Sequence, residues 1–296
     1  MIDKLAYFIW QGEKMSWLRY MTLKSFTYHN PDWKTVLYLC SDKSDYNITW
    51  TSGEKQDNYD KDDVKNYIHR IDDMNIEVVE CTWGLSDHPS QNADIFRWEL
   101  LSQVNGVCLD MDIMFVKSLT PFAEWLEDSS ICIDIHCTPD TYERKARWQD
   151  ARLGVMASNG KSNFFHDINS YNSQIEKDNN SYQKYGRNLL RQYIHHITGE
   201  DLRTCSEEKV GEIIGKIEEL YKCRAINIDH YRTIYPWDWQ DDNQRFYDVN
   251  TIGDEFGIHW YAGSSISNRF NNFLTEDNFR EHKNTICEYA KLTYLK

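Results

Sequence analysis

Apolar positions fall in short blocks, and the spacing changes from block to block. Lys4 to Trp10 is a nearly continuous apolar run closed by Gln11-Gly12, as expected of a buried strand. Ser16 to Tyr28 follows with Trp17, Leu18, Met21, Leu23 and Phe26 at helical spacing, and Pro31-Asp32 ends it. Thr35 to Cys40 reads as a second strand. A strand, a helix and a strand in that order predict a parallel sheet. Ser41 to Asp63 is polar and reads as a surface excursion. Asn75 to Cys81 is a third strand, Asn92 to Asn105 a helix, and Gly106 to Val116 a central strand. Ser130 to His136 and Leu153 to Ala157 are further strands. Asn163 to Asn180 reads as an exposed helix and turn. Leu189 to Thr198, Glu207 to Lys222 and the tail from Asn271 to Lys296 have helical spacing.

With no internal repeat and no long linker, 296 residues predict one α/β domain over 1–296. Its first half would be 1–119 and its second 120–296. Hydrophobic residues at 41% supply a core. A formal charge of −14 argues against a broad nucleic-acid footprint, which needs Lys and Arg, but leaves an anionic substrate open where a metal mediates. The eight cysteines form no C-x-x-C pair and are expected to be reduced thiols. The apolar run at Leu5 to Trp10 is too short for a signal peptide or a membrane span, so a cytoplasmic location is expected.

Candidate chemistry concentrates between Asn92 and Leu119. Asp110 and Asp112 follow the apolar Val107-Cys108-Leu109 and precede Ile113-Met114-Phe115. Carboxylates at the rim of a core strand are costly unless compensated, and a divalent cation is the natural compensator. If the chain is extended there, period-2 geometry points both carboxylates to one side. The carboxyl end of a parallel strand is also where open α/β sheets bind ligands. Asp60-Lys61-Asp62 has the same spacing but lies in a polar segment and reads as solvated surface. Asp238, Asp241 and Asp242 sit among Trp237, Trp239, Phe246 and Tyr247, a mixture suited to carbohydrate or to a plain acidic loop. P-loop, nucleophile-elbow, zinc-protease and Rossmann glycine fingerprints are absent from the sequence.

The block Ala93-Asp94-Ile95-Phe96-Arg97, followed by Gly106 and Asp110-Met111-Asp112, resembles the core of glycosyltransferases with a GT-A fold and a D-x-D motif. The likeness is to the yeast mannosyltransferase-like and capsular-polysaccharide-type sugar transferases and to the toxin glucosyltransferases. Ile9-Trp10-Gln11-Gly12, Ser25 to Pro31 and Ile258-His259-Trp260-Tyr261-Ala262-Gly263-Ser264 resemble further stretches of that family. The chain departs from it with Asn105-Gly106 in place of Gly-Gly and Cys108 in place of an aromatic residue.

The resemblance implies a Rossmann-like, mostly parallel central sheet flanked by helices. It implies transfer of a sugar from a nucleotide-sugar, a UDP-sugar first, to an acceptor hydroxyl with retention of configuration. Asp112 would ligate Mn²⁺ or Mg²⁺, with Asp110 on ribose hydroxyls or a metal-bound water and His259 as a third ligand. Asp94 and Arg97 would contact the donor ribose and sugar; three residues apart on a helix, they also fit a local ion pair. Trp10, beside Gln11, could stack on the nucleobase or be a packed core residue. Trp260 and Ser264 would reach the diphosphate. Asp150 precedes Leu153 to Ala157, which resembles the strand that contacts the donor sugar, and is a catalytic candidate. The acceptor is open among a glycan, a small molecule, a protein and a modified DNA base. The rival readings are a glycoside hydrolase, whose carboxyl pair would stand about 5–9.5 Å apart, and a non-catalytic carbohydrate- or nucleotide-binding protein.

Overall fold

Residues 2–40, 65–82, 88–135, 151–172, 174, 184–206, 208–228 and 254–294 are described by the structure, a computed structural model. They group into two units that exchange the chain several times. One holds Met1–Ala6, Ser90–Leu109 and Pro121–His230, and the other Tyr7–Pro89, Asp110–Thr120 and Tyr231–Lys296.

In the second unit the core is built around α1 (Trp17–His29). Ser16 caps it, its hydroxyl accepting from Arg19 N–H at 3.2 Å. Asn30 closes it by donating from its side chain to the Phe26 carbonyl at 3.0 Å. Asn30 Oδ1 also accepts from Leu119 N–H at 2.6 Å, which ties the helix end to a later segment. The helix is buried nearly all round, from Trp17 to Phe26. That is why its apolar residues are more numerous than one face requires. Phe8, Phe26 and Phe115 meet edge to face at 5.0–6.3 Å. Strand β2 (Lys34–Cys40) pairs in parallel with β3 (Glu77–Cys81), Val36 opposite Glu77 and Cys40 opposite Cys81.

The run Gly106 to Val116 is not one strand. It divides into β4 (Asn105–Leu109) and β5 (Ile113–Phe115), with a turn at Met111-Asp112 between them. β5 pairs instead with β9 (Gly257–His259), antiparallel, as a separate two-stranded ribbon with Ile113 opposite His259. Thr22 of α1 donates to the Met111 carbonyl at 3.0 Å, and Ser25 accepts from Phe115 N–H at 3.0 Å, so the turn and β5 are pinned to the helix.

The expected single tail helix is broken as well. A helix α7 (Ser265–Asn271) ends where it should begin, and within Asn271 to Lys296 the structure has a 3-10 turn Phe279–Glu281 and α8 (Thr285–Tyr294). Asn278 and Asn284 side chains capture backbone N–H groups of Thr275 and Cys287 at 2.8 Å each, offering the chain local bonds that compete with a continuous helix.

In the first unit, β4 pairs antiparallel with β7 (Ala151–Asn159), which pairs antiparallel with β6 (Ile131–Ile135). β6 in turn is parallel to β8 (Ala225–Asn227). β7 therefore runs against both neighbours while β4, β6 and β8 share one direction. The helices here are α2 (Pro89–Gln103), α3 (Thr120–Trp125), α4 (Phe164–Asn172), α5 (Arg187–Thr198) and α6 (Lys209–Tyr221). The helix expected within Asn163 to Asn180 is present as α4, but it is anchored: Phe164 and Phe165 are fully buried, and Phe165 stacks near Trp98 at 6.2 Å.

With β1 (Leu5–Gln11), the strand order is β3-β2-β1-β4-β7-β6-β8, a mostly parallel seven-stranded sheet flanked by helices. This is the expected α/β class. No helix among the described residues is long and apolar enough to cross a membrane. Cys40, Cys108, Cys132 and Cys287 are buried free thiols, and Cys81 and Cys223 are partly exposed ones. Cys205 departs from the expectation of reduced thiols, being disulfide-bonded.

Candidate functional site

Turning the chain at Met111-Asp112, rather than extending it, delivers the second carboxylate to β9. Because β5 and β9 pair, Asp112 and His259 lie at neighbouring ends of the ribbon although 147 residues separate them. His259 Nε2 is 2.8 Å from Asp112 Oδ1. Ala262 N–H donates to Asp112 Oδ2 at 3.0 Å, and Trp260 N–H donates to the Asp112 carbonyl at 2.9 Å. Tyr261, between them, takes a positive φ of 42°, unusual for a side chain of this size and worth about 1–3 kcal/mol of strain. Its ring lies 4.4 Å from the imidazole of His259.

Asp110, Asp112 and His259 each present one ligand atom, and the three atoms lie within 4.8 Å of one another. Two carboxylates and an imidazole suit a divalent cation such as Mn²⁺. The charge state fits too. Burial acts to raise the Asp112 carboxyl, but the charge and hydrogen bond of His259, the charge of Arg19 and the Ala262 N–H outweigh it. The group is held well below the usual carboxylate range. A cation taken here would replace the His259 Nε2–Asp112 Oδ1 hydrogen bond: the proton between them leaves, the imidazole becomes a neutral ligand and Asp112 remains the anionic one.

Arg19 went unread in the sequence, where an Arg on a helix counts as a solvent-facing position. Here it is buried, with its guanidinium carbon 5.2 Å from the Trp10 ring centroid and 5.1 Å from that of Trp260. Two aromatic faces thus hold a cation whose field reaches Asp112. Trp10 is fully buried and donates from Nε1 to the Lys14 carbonyl at 3.1 Å, the packed arrangement that was the alternative to base stacking. Gln11 is buried beside it in sequence. Trp260 is buried and its Nε1 lacks a hydrogen-bond partner among the described residues. Ser264 caps α7, accepting from Ser267 N–H at 3.2 Å.

Asp94 and Arg97 belong to the first unit, on α2. Arg97 is buried and donates to the Leu153 carbonyl of β7 at 2.6 Å. Asp94 rests against Gly186: a Cβ there would lie 2.3 Å from Asp94 Oδ2 and 2.8 Å from Leu153 Cδ1. The bare glycine is what lets the carboxylate sit where it does. Asp150, the 60–62 triplet and the acidic aromatic stretch around Asp238, Asp241 and Asp242 lie outside the described residues.

Fold and site together define an α/β protein with a carboxylate turn at the end of a sheet strand, where Asp110, Asp112 and His259 could hold a cation. No protein-family model matches the chain, and no curated protein matches it. Among solved structures it is similar to the PaToxG glycosyltransferase, with 17% identity over 74% of this chain and 77% of that one and a TM-score of 0.39. It is also similar to apo glycosyltransferase GlyE of Streptococcus pneumoniae TIGR4, with 12% identity, all of this chain against 61% of that one, and a TM-score of 0.45. A third is the galactosyltransferase LgtC in complex with donor and acceptor sugar analogues, with 14% identity, 93% and 98% covered, and a TM-score of 0.39.

Proposed function

We propose that the chain is a metal-dependent glycosyltransferase of GT-A type that transfers a sugar from a nucleotide-sugar, a UDP-sugar first, to an acceptor hydroxyl. The observation that carries this reading is the convergence of Asp110, Asp112 and His259 within 4.8 Å, with Asp112 held ionised. Ligand atoms this close suit one shared cation better than the wider carboxyl pair of a glycoside hydrolase, about 5–9.5 Å. A bound Mn²⁺ or Mg²⁺ would neutralise the diphosphate and so improve the nucleotide as a leaving group.

The chain's own residues then do three things. Asp112 and His259, fixed by the β5–β9 ribbon, hold the cation, with Asp110 completing the set or meeting ribose hydroxyls. Asp94 and Arg97 orient the donor ribose and sugar. Ser264 and Trp260 serve the diphosphate, Trp260 through an Nε1–H that has no partner among the described residues. In a retaining transfer the bond from the anomeric carbon to the nucleotide breaks and one to the acceptor oxygen forms on the same face. The acceptor proton passes to the departing phosphate, so a protein nucleophile is not required.

The test is a thermal-shift panel of nucleotide-sugars with and without Mn²⁺. One donor should raise the melting temperature only with the metal; at 100 times its Kd the stabilisation is about 2.7 kcal/mol. Asp112→Asn should remove that shift. An equal shift in chelator, or a full shift in Asp112→Asn, would refute the proposal.

A further inference from the structure

Helices α4, α5 and α6 of the first unit enclose an open cavity of about 640 Å³, remote in sequence from Asp110, Asp112 and His259. That volume is in the range of about 300–1,000 Å³ typical of small-molecule sites. One side is aromatic. Tyr171 and His196 stack with centroids 5.0 Å apart and planes at 27°, and Tyr193 lies 5.5 Å from Tyr171. Leu220, more than half exposed, extends the apolar lip.

The remaining lining is polar. Asn163, Ser170 and Gln174 are exposed donors and acceptors, with Lys161 and Lys222 beside them. Asp167 is fixed: Tyr221 hydroxyl donates to its Oδ2 at 3.2 Å and is itself in short contact with the Tyr193 hydroxyl. Burial first, then Tyr193 and Asp167, push the Tyr221 hydroxyl above its ordinary range, so it stays a donor. Burial pushes Tyr193 up to about 12. The carboxylate is therefore oriented by one oxygen and keeps acceptor capacity on the other.

An apolar ring platform beside an oriented carboxylate and neutral amides matches one ligand chemistry. A pyranose has an apolar face of C–H groups that packs on aromatic rings, and vicinal hydroxyls that donate to a carboxylate and exchange bonds with amides. A phosphate would meet Asp167, and a purely apolar ligand would leave that carboxylate desolvated. We propose that this cavity is a saccharide-binding site that takes a neutral sugar ring, on Tyr171 and His196, without metal or nucleotide.

The test is saturation-transfer NMR in chelator, without nucleotide, using methyl glycosides of glucose, galactose, mannose and N-acetylglucosamine, and the glucose trisaccharide maltotriose. At least one probe should receive saturation with a fittable Kd. Asp167→Asn and Tyr171→Ala should weaken it fivefold or more. Because Tyr171→Ala could disturb α4, His196→Ala, at an exposed position, should give the same loss with an unchanged melting temperature. Absence of transfer to every probe, or equal affinity in Asp167→Asn and His196→Ala, would overturn the proposal.

Discussion

Replacing Arg19 by Met asks what a buried cation between two indoles contributes. The linear Met side chain retains much of the apolar stem packing and deletes the guanidinium. Each desolvated cation–π contact is worth about 0.5–2 kcal/mol, and Arg19 makes two, at 5.2 and 5.1 Å. The loss is therefore about 1–4 kcal/mol from stacking alone. Asp112 also loses one of the charges that hold it ionised, which adds to the cost at neutral pH. Denaturant unfolding at pH 7 should show Arg19→Met destabilised by at least about 2 kcal/mol, with an unchanged m-value. Arg19→Lys separates the two contributions. It retains a charge near Asp112 but cannot lay a planar group against both rings, so it should recover only part of the stability. A midpoint for Arg19→Met within about 0.5 kcal/mol of the parent would refute the reasoning, as would complete rescue by Lys.

Asp112 predicts a pH dependence. Its folded carboxyl lies below the unfolded value of about 3.9, so it stabilises the fold above that pH and the contribution is lost as pH falls toward the folded value. Acid titration of stability should fall less steeply below about pH 4 in Asp112→Asn than in the parent; equal slopes would count against the arrangement. Gly186→Ala would drive a Cβ to 2.3 Å from Asp94 Oδ2. It should cost about 1–3 kcal/mol and reduce donor turnover, and a fully active, equally stable variant would remove the role given to that contact. Gly257→Ala places a Cβ 2.8 Å from Ile113 Cγ2 and 3.1 Å from the Met114 carbonyl. It should loosen the β5–β9 ribbon and weaken Mn²⁺ binding by calorimetry, while unaltered affinity would show that the ribbon does not set the ligand geometry.

Much of the fold is legible in sequence because its elements obey one local period each. The apolar run of β1, the capped helix after Ser16 and the strand ending at Cys40 need nothing from elsewhere in the chain. Reading stalls where distant segments decide. Val107 to Leu109 and Ile113 to Phe115 look like one strand because apolar residues flank the carboxylates on both sides. Pairing with Gly257–His259, far along the chain, is what divides them. The tail looks like one helix because its apolar spacing continues, while Asn278 and Asn284 interrupt it through bonds no periodicity records.

At the site, Asp110, Asp112 and His259 were all readable as residue types, and the structure brings them together. Arg19 was not readable, since its burial is set by Trp10 and Trp260, one 9 residues before it and the other 241 after it. The support that Gly186 gives Asp94 was hidden for the same reason: a glycine 92 residues away carries no signal of what rests on it.

The two-stranded ribbon also sets an order of events during synthesis. Asp112 leaves the ribosome long before His259 exists, and until Gly257–His259 arrives β5 has no partner and the carboxylate lacks its imidazole. A nascent chain can therefore hold a partly formed sheet while Asp112 lacks the partners that fix it. Any product ending short of β9 lacks both the imidazole and the Ala262 N–H that hold Asp112, even where the rest of its strands have formed.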